Sequence, residues 1–424
     1  MNYACGSGHN GLPPSRGKVA AKRPDEGGSV PHEKRSAGRA PAAGRPLIRP
    51  FGPPSPARGE GRYGRFVLAV TFLLFSTALR AQDAPPPKIA PFFQPPAEFA
   101  DLGSYRSPLM FADGRVAKTP EEWAQRRKEI LDDWRGRIGG RPLIERPKFE
   151  VLGEERRGTF LQRKVNVEVA FDRITPGYLL IPDGPGPHPA VLVVFYEPET
   201  AVGLGNKPQR DFARRLAERG FACLSIGFDP RILDPSKWDP PMQPLAYLAH
   251  VASNALTAMQ NLPEIDPKRI GVMGHSYGGK WAMFAACLDD RFACGVWSDP
   301  GVAFDEPRRN VNYWEPWYLG WEPGTKRKPG LITPENPRTG AYKQMIADGR
   351  DLHEFQALMP PRPFLVSGGA EDQPERWRPL NHVRAVDALL GVQKGVAMTN
   401  RPAHDPNEES NAQIEAFLEY VLKP

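Results

Sequence analysis

Cysteine is scarce in this chain, with four residues in 424, one of them at position 5. The other three, Cys223, Cys287 and Cys294, lack metal-ligand spacing and are too few for a disulfide framework. Cys287 and Cys294 stand close enough in sequence to pair in an oxidising compartment, but small buried thiols are the favoured reading. No apolar run reaches the ~20 residues that span a bilayer as a helix, so no stable membrane span is expected. A surplus of one charge is also missing once the chain is divided. The first 81 residues hold 13 of the 56 Lys+Arg and 4 of the 49 Asp+Glu, which leaves 43 basic against 45 acidic residues beyond them. The basic pI of about 9.2 therefore belongs to the leader, and nothing downstream asks for nucleic acid or an anionic membrane. Internal repeats are absent as well.

Large apolar residues are few in positions 1–61, which are dense in Gly, Pro, Arg and Ser and show no regular period. Such a segment cannot bury enough surface to offset its chain entropy, so it reads as a disordered leader. Arg62 and Arg65 then precede "FVLAVTFLLFSTAL" (Phe66–Leu79) and the small residue Ala81. A basic flank, a short apolar run and a small residue describe a secretory signal over 62–81, and a periplasmic or secreted protein. The twin-arginine pair is missing. A long basic leader ahead of a signal is unusual, so translation is expected to start downstream of Met1. Residues 82–118 read as a Pro-rich linker and N-terminal extension. Residues 119–424 read as the folded domain, whose core the chain's 40% hydrophobic content can supply.

That domain opens on "TPEEWAQRRKEILDDW", where Thr119 can cap a helix, Pro120 suits its first turn, and Trp123, Ile130, Leu131 and Trp134 share a face. Strands are expected at 164–171 and 177–182, paired antiparallel, then at 189–195, a continuous apolar run suited to a strand buried on both faces. Helices and strands then alternate: helix 210–219, strand 221–228, helix 244–263, strand 269–276, helix 280–288, strand 291–298. After a long irregular stretch come strand 362–369, a helix over 374–390, strand 394–400 and a closing helix over 407–422. The fold class is α/β, a mostly parallel central sheet with helices on both faces. An aromatic-rich insertion follows the strand after the 280–288 helix.

Within "GVMGHSYGGK", Gly274-His275-Ser276-Tyr277-Gly278 stands between a strand and a helix. Gly-x-Ser-x-Gly in that setting is a nucleophile elbow, and a bare glycine turn is the lesser alternative. A serine hydroxyl needs a base to take its proton. His9 and His32 lie in the leader, and His188 precedes a strand at the wrong end of the sheet. His250 falls mid-helix, and His275 sits inside the elbow pointing away from Ser276. His353 and His382 fall in helical stretches, with a solvated face as the default. His404, in a loop after the last strand, fits the chain order Ser, acid, His and is the expected base. For the acid, Asp372, in the loop after strand 362–369, is favoured over Asp299, which follows strand 291–298. The backbone N–H of Tyr277 is one oxyanion donor, and the other is expected near Tyr196 or Glu197.

Ser276, Asp372 and His404 in this order of elements resemble the α/β-hydrolase superfamily from about Lys148 to the C-terminus. Trp-x-x-Arg-Arg-x-Glu-Ile at 123–130 and Lys280 narrow the resemblance to bacterial carbohydrate esterases of the acetyl-xylan-esterase and glucuronoyl-esterase type. Dienelactone hydrolases share the fold, with cysteine as nucleophile. In glucuronoyl esterases an arginine after the serine aids the oxyanion and the lysine contacts the uronate; Tyr277 stands where that arginine would. The resemblance allows the acid to follow either strand, which keeps Asp299 in play. It implies an exported serine hydrolase acting on carbohydrate esters, with no metal or organic cofactor. Trp314, Trp317 and Trp321, crowded with Tyr313 and Tyr318, are either sugar-binding faces or a lid packed on itself. Lys280 is a candidate substrate contact, with a helix-surface or ion-paired role as the plainer reading. A prolyl-oligopeptidase-like peptidase or amidase is the alternative enzyme, although the chain has no room for a propeller. A non-catalytic carbohydrate-binding relative is the alternative from another class.

Overall fold

The computed structural model describes residues 88–423, apart from 172, 229–234 and 239–240. The leader (1–61) and the signal segment (62–81) lie outside the described residues. Nine strands make one sheet: β1 (Phe149–Arg157), β2 (Phe160–Ala170), β3 (Arg173–Pro182), β4 (His188–Val194), β5 (Ala222–Ile226), β6 (Ile265–His275), β7 (Cys294–Ser298), β8 (Phe364–Gly368) and β9 (Val396–Asn400). Their spatial order is β1-β2-β3-β5-β4-β6-β7-β8-β9. The pairs β1–β2, β2–β3 and β3–β5 are antiparallel, and every pair from β5 to β9 is parallel. The mostly parallel sheet is the one expected from the alternation, and its order is the α/β-hydrolase arrangement that the resemblance implies.

The helices are α1 (Pro120–Ile138), α2 (Pro198–Ala201), α3 (Phe212–Ala217), α4 (Pro244–Gln260), α5 (Tyr277–Leu288), α6 (Gly340–Ala347), α7 (Leu352–Gln356), α8 (Trp377–Leu389) and α9 (Glu408–Leu422). Among the described residues no helix is long and apolar enough to cross a membrane. Helix α1 begins as its sequence dictates: the Thr119 side chain accepts from Glu122 N at 3.2 Å, and Glu122 Oε2 accepts from Lys118 N at 2.7 Å. Strand β4 shows why a parallel strand reads as an unbroken apolar run. Ala190, Leu192 and Val194 face one core with α1, α4 and α5, while Val191 and Val193 face a second with α3 and α9. Cys223, Cys287 and Cys294 are buried free thiols.

Three departures from expectation have physical causes. Strand β1 ("FEVLGEERR") carries no alternation, because it is an edge strand exposed along nearly its whole length. Helices α6 and α7 are too short to print a period on the irregular stretch. His353 and His382 are buried rather than solvated, at 1% and 3% exposure. Their Nε2 atoms lie 2.6 Å from the Arg106 carbonyl and 3.0 Å from the Leu102 carbonyl, and hold the segment 88–118 against α7 and α8. That segment also buries Ile89, Phe92, Phe93 and Phe111 in the two cores.

Asp387 of α8 is buried with neither carboxylate oxygen hydrogen-bonded, and burial pushes its pKa up to about 8. The folded protein therefore binds a proton that the unfolded chain has released above pH ~4. Its contribution to stability is present below pH ~4 and is lost as pH rises towards 8. Asp387→Asn, which is never charged, is expected to raise Tm more at pH 8 than at pH 5. Thermal unfolding at the two values checks it, and an equal shift at both rejects the assignment.

Candidate active site

Sheet register decides which loops meet. Val194 of β4 pairs with Gly274 of β6, so Tyr196 and Ser276, each two residues on, leave the sheet side by side. His275 pairs with Ser298, which puts Ser276 level with Asp299 beyond β7. Ser298 in turn pairs with Ser367, and Gly368 with Asn400, so the loops after β8 and β9 emerge next to them.

Ser276 sits at φ 56°, ψ −115°, a conformation that costs a non-glycine residue about 1–3 kcal/mol. Its N–H donates to the Ser298 carbonyl at 2.7 Å. The flanking glycines are steric requirements. A Cβ on Gly274 would lie 2.1 Å from the Gly278 carbonyl oxygen, and one on Gly278 would lie 2.3 Å from that of Val194. Helix α5 starts at Tyr277, earlier than the sequence pattern suggested, so the first-turn N–H groups and the positive end of the helix dipole stand beside the hydroxyl.

His404 Nε2 lies 2.9 Å from Ser276 Oγ, and His404 Nδ1 lies 2.7 Å from Asp299 Oδ2. With Nδ1 donating to the carboxylate, Nε2 is left to accept the serine proton. The imidazole is a quarter exposed while the Asp299 side chain is wholly buried. Asp299 Oδ1 also accepts from the N–H groups of Gly369 (2.7 Å), Glu371 (3.1 Å) and Asp372 (2.9 Å). Beneath the His404 imidazole, His275 packs ring to ring at 4.8 Å, with Nδ1 3.1 Å from Ser298 Oγ. Burial, followed by the neighbouring His404, holds its pKa well below the usual histidine value, so His275 stays neutral there.

The structure brings Ser276 and His404 together as expected, but it replaces Asp372 by Asp299 as the carboxylate at the imidazole. Asp372 points the other way: its oxygens accept from Gly301 N at 2.8 Å and Val302 N at 2.6 Å. Both acids follow strand ends, and only the register separates them. Asp299 comes directly after β7, level with Ser276, in a backbone with φ 52° that no residue pattern announces. Arg401 escapes a sequence reading too. It is 5% exposed and donates to the carbonyls of Ser367 (2.8 Å), His404 (2.6 Å) and Asp405 (2.9 Å), which ties the His404 loop to β8. Its one signal is a charged residue directly after an apolar strand.

The remaining candidates divide. The exposed Tyr196 ring stacks on Tyr277 with centroids 5.5 Å apart, and Tyr277 is enclosed by Phe228 and Tyr318. The Glu197 carboxylate is taken up by Lys207 at 2.7 Å and Thr200 at 2.6 Å. Lys280 is neither on the helix surface nor ion-paired by contact. It is 3% exposed and donates to the carbonyls of Pro300 (2.6 Å) and Asn310 (3.0 Å), with its ammonium 4.9 Å from the Tyr313 ring centroid. Burial lowers its pKa to about 8. Trp314 is buried with Nε1 on the Gly330 carbonyl at 3.0 Å, whereas Trp317 and Trp321 are half-buried. The insertion thus packs largely on its own aromatics, with a buried Arg327–Glu315 pair at 2.9 Å inside it. Lys280→Met is expected to cost about 1–3 kcal/mol through carbonyls left without a donor. A lower Tm and earlier limited proteolysis within 304–330 check it; unchanged resistance to protease would show that Lys280 does not fasten the insertion. Among the described residues no cluster of His, Cys, Asp and Glu is placed to hold a metal ion.

Comparisons with known proteins agree with this fold. Residues 154–296 match the family model for FrsA-like esterases, and residues 252–398 match that of the prolyl oligopeptidase family. No curated protein is similar enough in sequence to be matched. Among solved structures, a glucuronoyl esterase from Solibacter usitatus superposes with a TM-score of 0.58 at 20% identity, covering 76% of this chain and 99% of its own. A promiscuous CE15 esterase from a marine bacterial metagenome gives 0.57 at 17% identity, covering 75% and 97%. A Bacteroides fragilis protein named for acetyl xylan esterase activity gives 0.51 at 16% identity, covering 71% and 80%. At these identities the likeness carries the fold, and the matched segments carry the hydrolase character. The chain is an α/β-hydrolase, a serine hydrolase similar to carboxylic-ester hydrolases.

Proposed function

We propose that the protein is an exported esterase acting on carbohydrate esters through Ser276, His404 and Asp299. The observation that carries this reading is the unbroken chain of hydrogen bonds from Ser276 Oγ through the imidazole to the Asp299 carboxylate. In the proposed reaction His404 Nε2 takes the hydroxyl proton as Ser276 Oγ attacks the ester carbonyl. The oxyanion that forms is met by the Tyr277 N–H at the start of α5 and by a donor from the segment after β4, where Tyr196 stands level with Ser276. The imidazolium then protonates the departing alcohol, which leaves an acyl group on Ser276. Water, deprotonated by His404, then bonds to the acyl carbon; the bond to Ser276 Oγ breaks as the imidazolium returns the proton to Oγ, and the acid leaves. Asp299 holds the imidazole in the tautomer this needs and offsets its positive charge.

The carbohydrate part of the reading rests on the kinds of esterase that share the fold, and export rests on residues 62–81. The test uses a fluorophosphonate probe together with aryl acetates, acetylated xylan and methyl glucuronate. Labelling with ester turnover supports the reading, and an unlabelled protein sinks it. The match of 252–398 to the prolyl oligopeptidase family favours peptidase or amidase activity as the second reading. Labelling with cleavage of prolyl amides but not of esters would establish that one instead.

A further inference from the structure

We infer that Asp372 is a positioning residue, which sets the reactivity of Ser276 through Asp299 as one half of a reciprocal brace between the loops after β7 and β8. The inference rests on the reading of Ser276, His404 and Asp299 given above.

Each loop lends its backbone amides to the other loop's carboxylate. Gly369, Glu371 and Asp372 of the β8 loop donate to Asp299. Gly301 and Val302 of the β7 loop donate to Asp372, one to each oxygen. The β7 loop needs such a restraint, because it holds two left-handed residues within three, Asp299 at φ 52° and Gly301 at φ 81°. For aspartate that conformation is unfavourable on its own, and it persists only where the surroundings over-determine it.

The other side of the brace is itself fixed. Asp372 is fully buried, its carbonyl accepts from Asn400 Nδ2 at 2.7 Å, and Arg376 Nε lies 3.8 Å from its carboxylate. There is no slack between the brace and the base. A Cβ on Gly369 would lie 2.7 Å from Asp299 Oδ2 and 2.4 Å from the Ala403 carbonyl oxygen, next to His404. A shift of the β8 loop is therefore passed to both the acid and the segment that carries the base. Removing the Asp372 carboxylate strands the Gly301 and Val302 N–H groups away from water, and the β7 loop relaxes towards ordinary backbone angles. The Asp299 carboxylate then leaves His404 Nδ1. Burial and the nearby Asp299 charge push the Asp372 pKa up to about 6, against the Gly301 and Val302 amides, which lower it.

The test makes Asp372→Ala and Asp372→Asn in the whole protein, each alone and in an Asp299→Asn background. Four quantities are read: the fluorophosphonate inactivation rate, kcat and KM on an aryl acetate, Tm, and the downfield proton resonance of the His404–Asp299 hydrogen bond. Misplacing a reacting group by an ångström costs about 10²-fold, so Asp372→Ala is expected to lose about that much in inactivation rate and kcat with KM nearly unchanged. Asp372→Asn keeps one acceptor and falls between Asp372→Ala and wild type. In the Asp299→Asn background the same changes add little, because the residue they act through is gone. Losses that multiply in full in the double variants would overturn the inference, as would wild-type rates in Asp372→Asn. An unlabelled wild type would sink the esterase reading separately. The proton resonance then still decides the brace: its loss in Asp372→Ala supports it, and its survival there unchanged ends it.

Discussion

Ser276→Ala and His404→Ala are each expected to lower kcat on an aryl acetate by about 10⁶-fold, and the double variant by no more than either alone. In the proposed reaction the two side chains act as one unit. Without the serine there is nothing to acylate, and without the base the hydroxyl keeps its proton at neutral pH. Either loss removes the covalent route whole, so the second change has nothing left to remove. What survives comes from the amide donors at the start of α5, which polarise a bound ester for attack by water. Steady-state kinetics and intact-mass detection of the acyl group or the fluorophosphonate adduct check this. A Ser276→Ala protein that is still labelled, or within tenfold of wild type, would move the nucleophile elsewhere.

Asp299→Asn is expected to cost about 10⁴-fold in kcat at neutral pH with the fold intact. The amide can still occupy the site, but its NH₂ in place of an oxygen forces His404 into the tautomer with the proton on Nε2. That leaves no lone pair facing Ser276 Oγ. The loss should exceed that of Asp372→Ala by roughly two orders of magnitude, since Asp299 touches the imidazole and Asp372 does not, binding the Gly301 and Val302 amides instead. Comparing kcat of the two variants at pH 7 decides the ranking. Equal losses, or a larger one at Asp372, would restore the acid that the loop position alone suggests.

Much of the fold was legible because it depends on short-range pattern. The apolar run of β4, the cap at Thr119 and the glycines around Ser276 each have a local cause, and each lies where the structure puts it. The histidine was legible by elimination, since one histidine follows the last strand of the sheet in a loop. Edge strand β1 and the short α6 and α7 were not, because exposure on both faces and lengths under three turns leave no period to read.

The roles of three charged residues were decided only in three dimensions. Asp299 and Asp372 stand in equivalent sequence settings, and strand register together with one left-handed backbone angle sends the first to the imidazole and the second to a pair of amides. Lys280 looks like a polar opening to an apolar helix. It is buried because the insertion folds over it and supplies two carbonyls, a contact between segments 20 and 30 residues apart in the chain. The sequence by itself determined the elbow turn, the loop position of His404 and the alternation of strands and helices, since sterics and burial act there between neighbours. Only the tertiary structure decided which carboxylate meets the imidazole and what Lys280 binds, because a carboxylate or an ammonium goes to whichever donors or acceptors the packed loops leave unsatisfied.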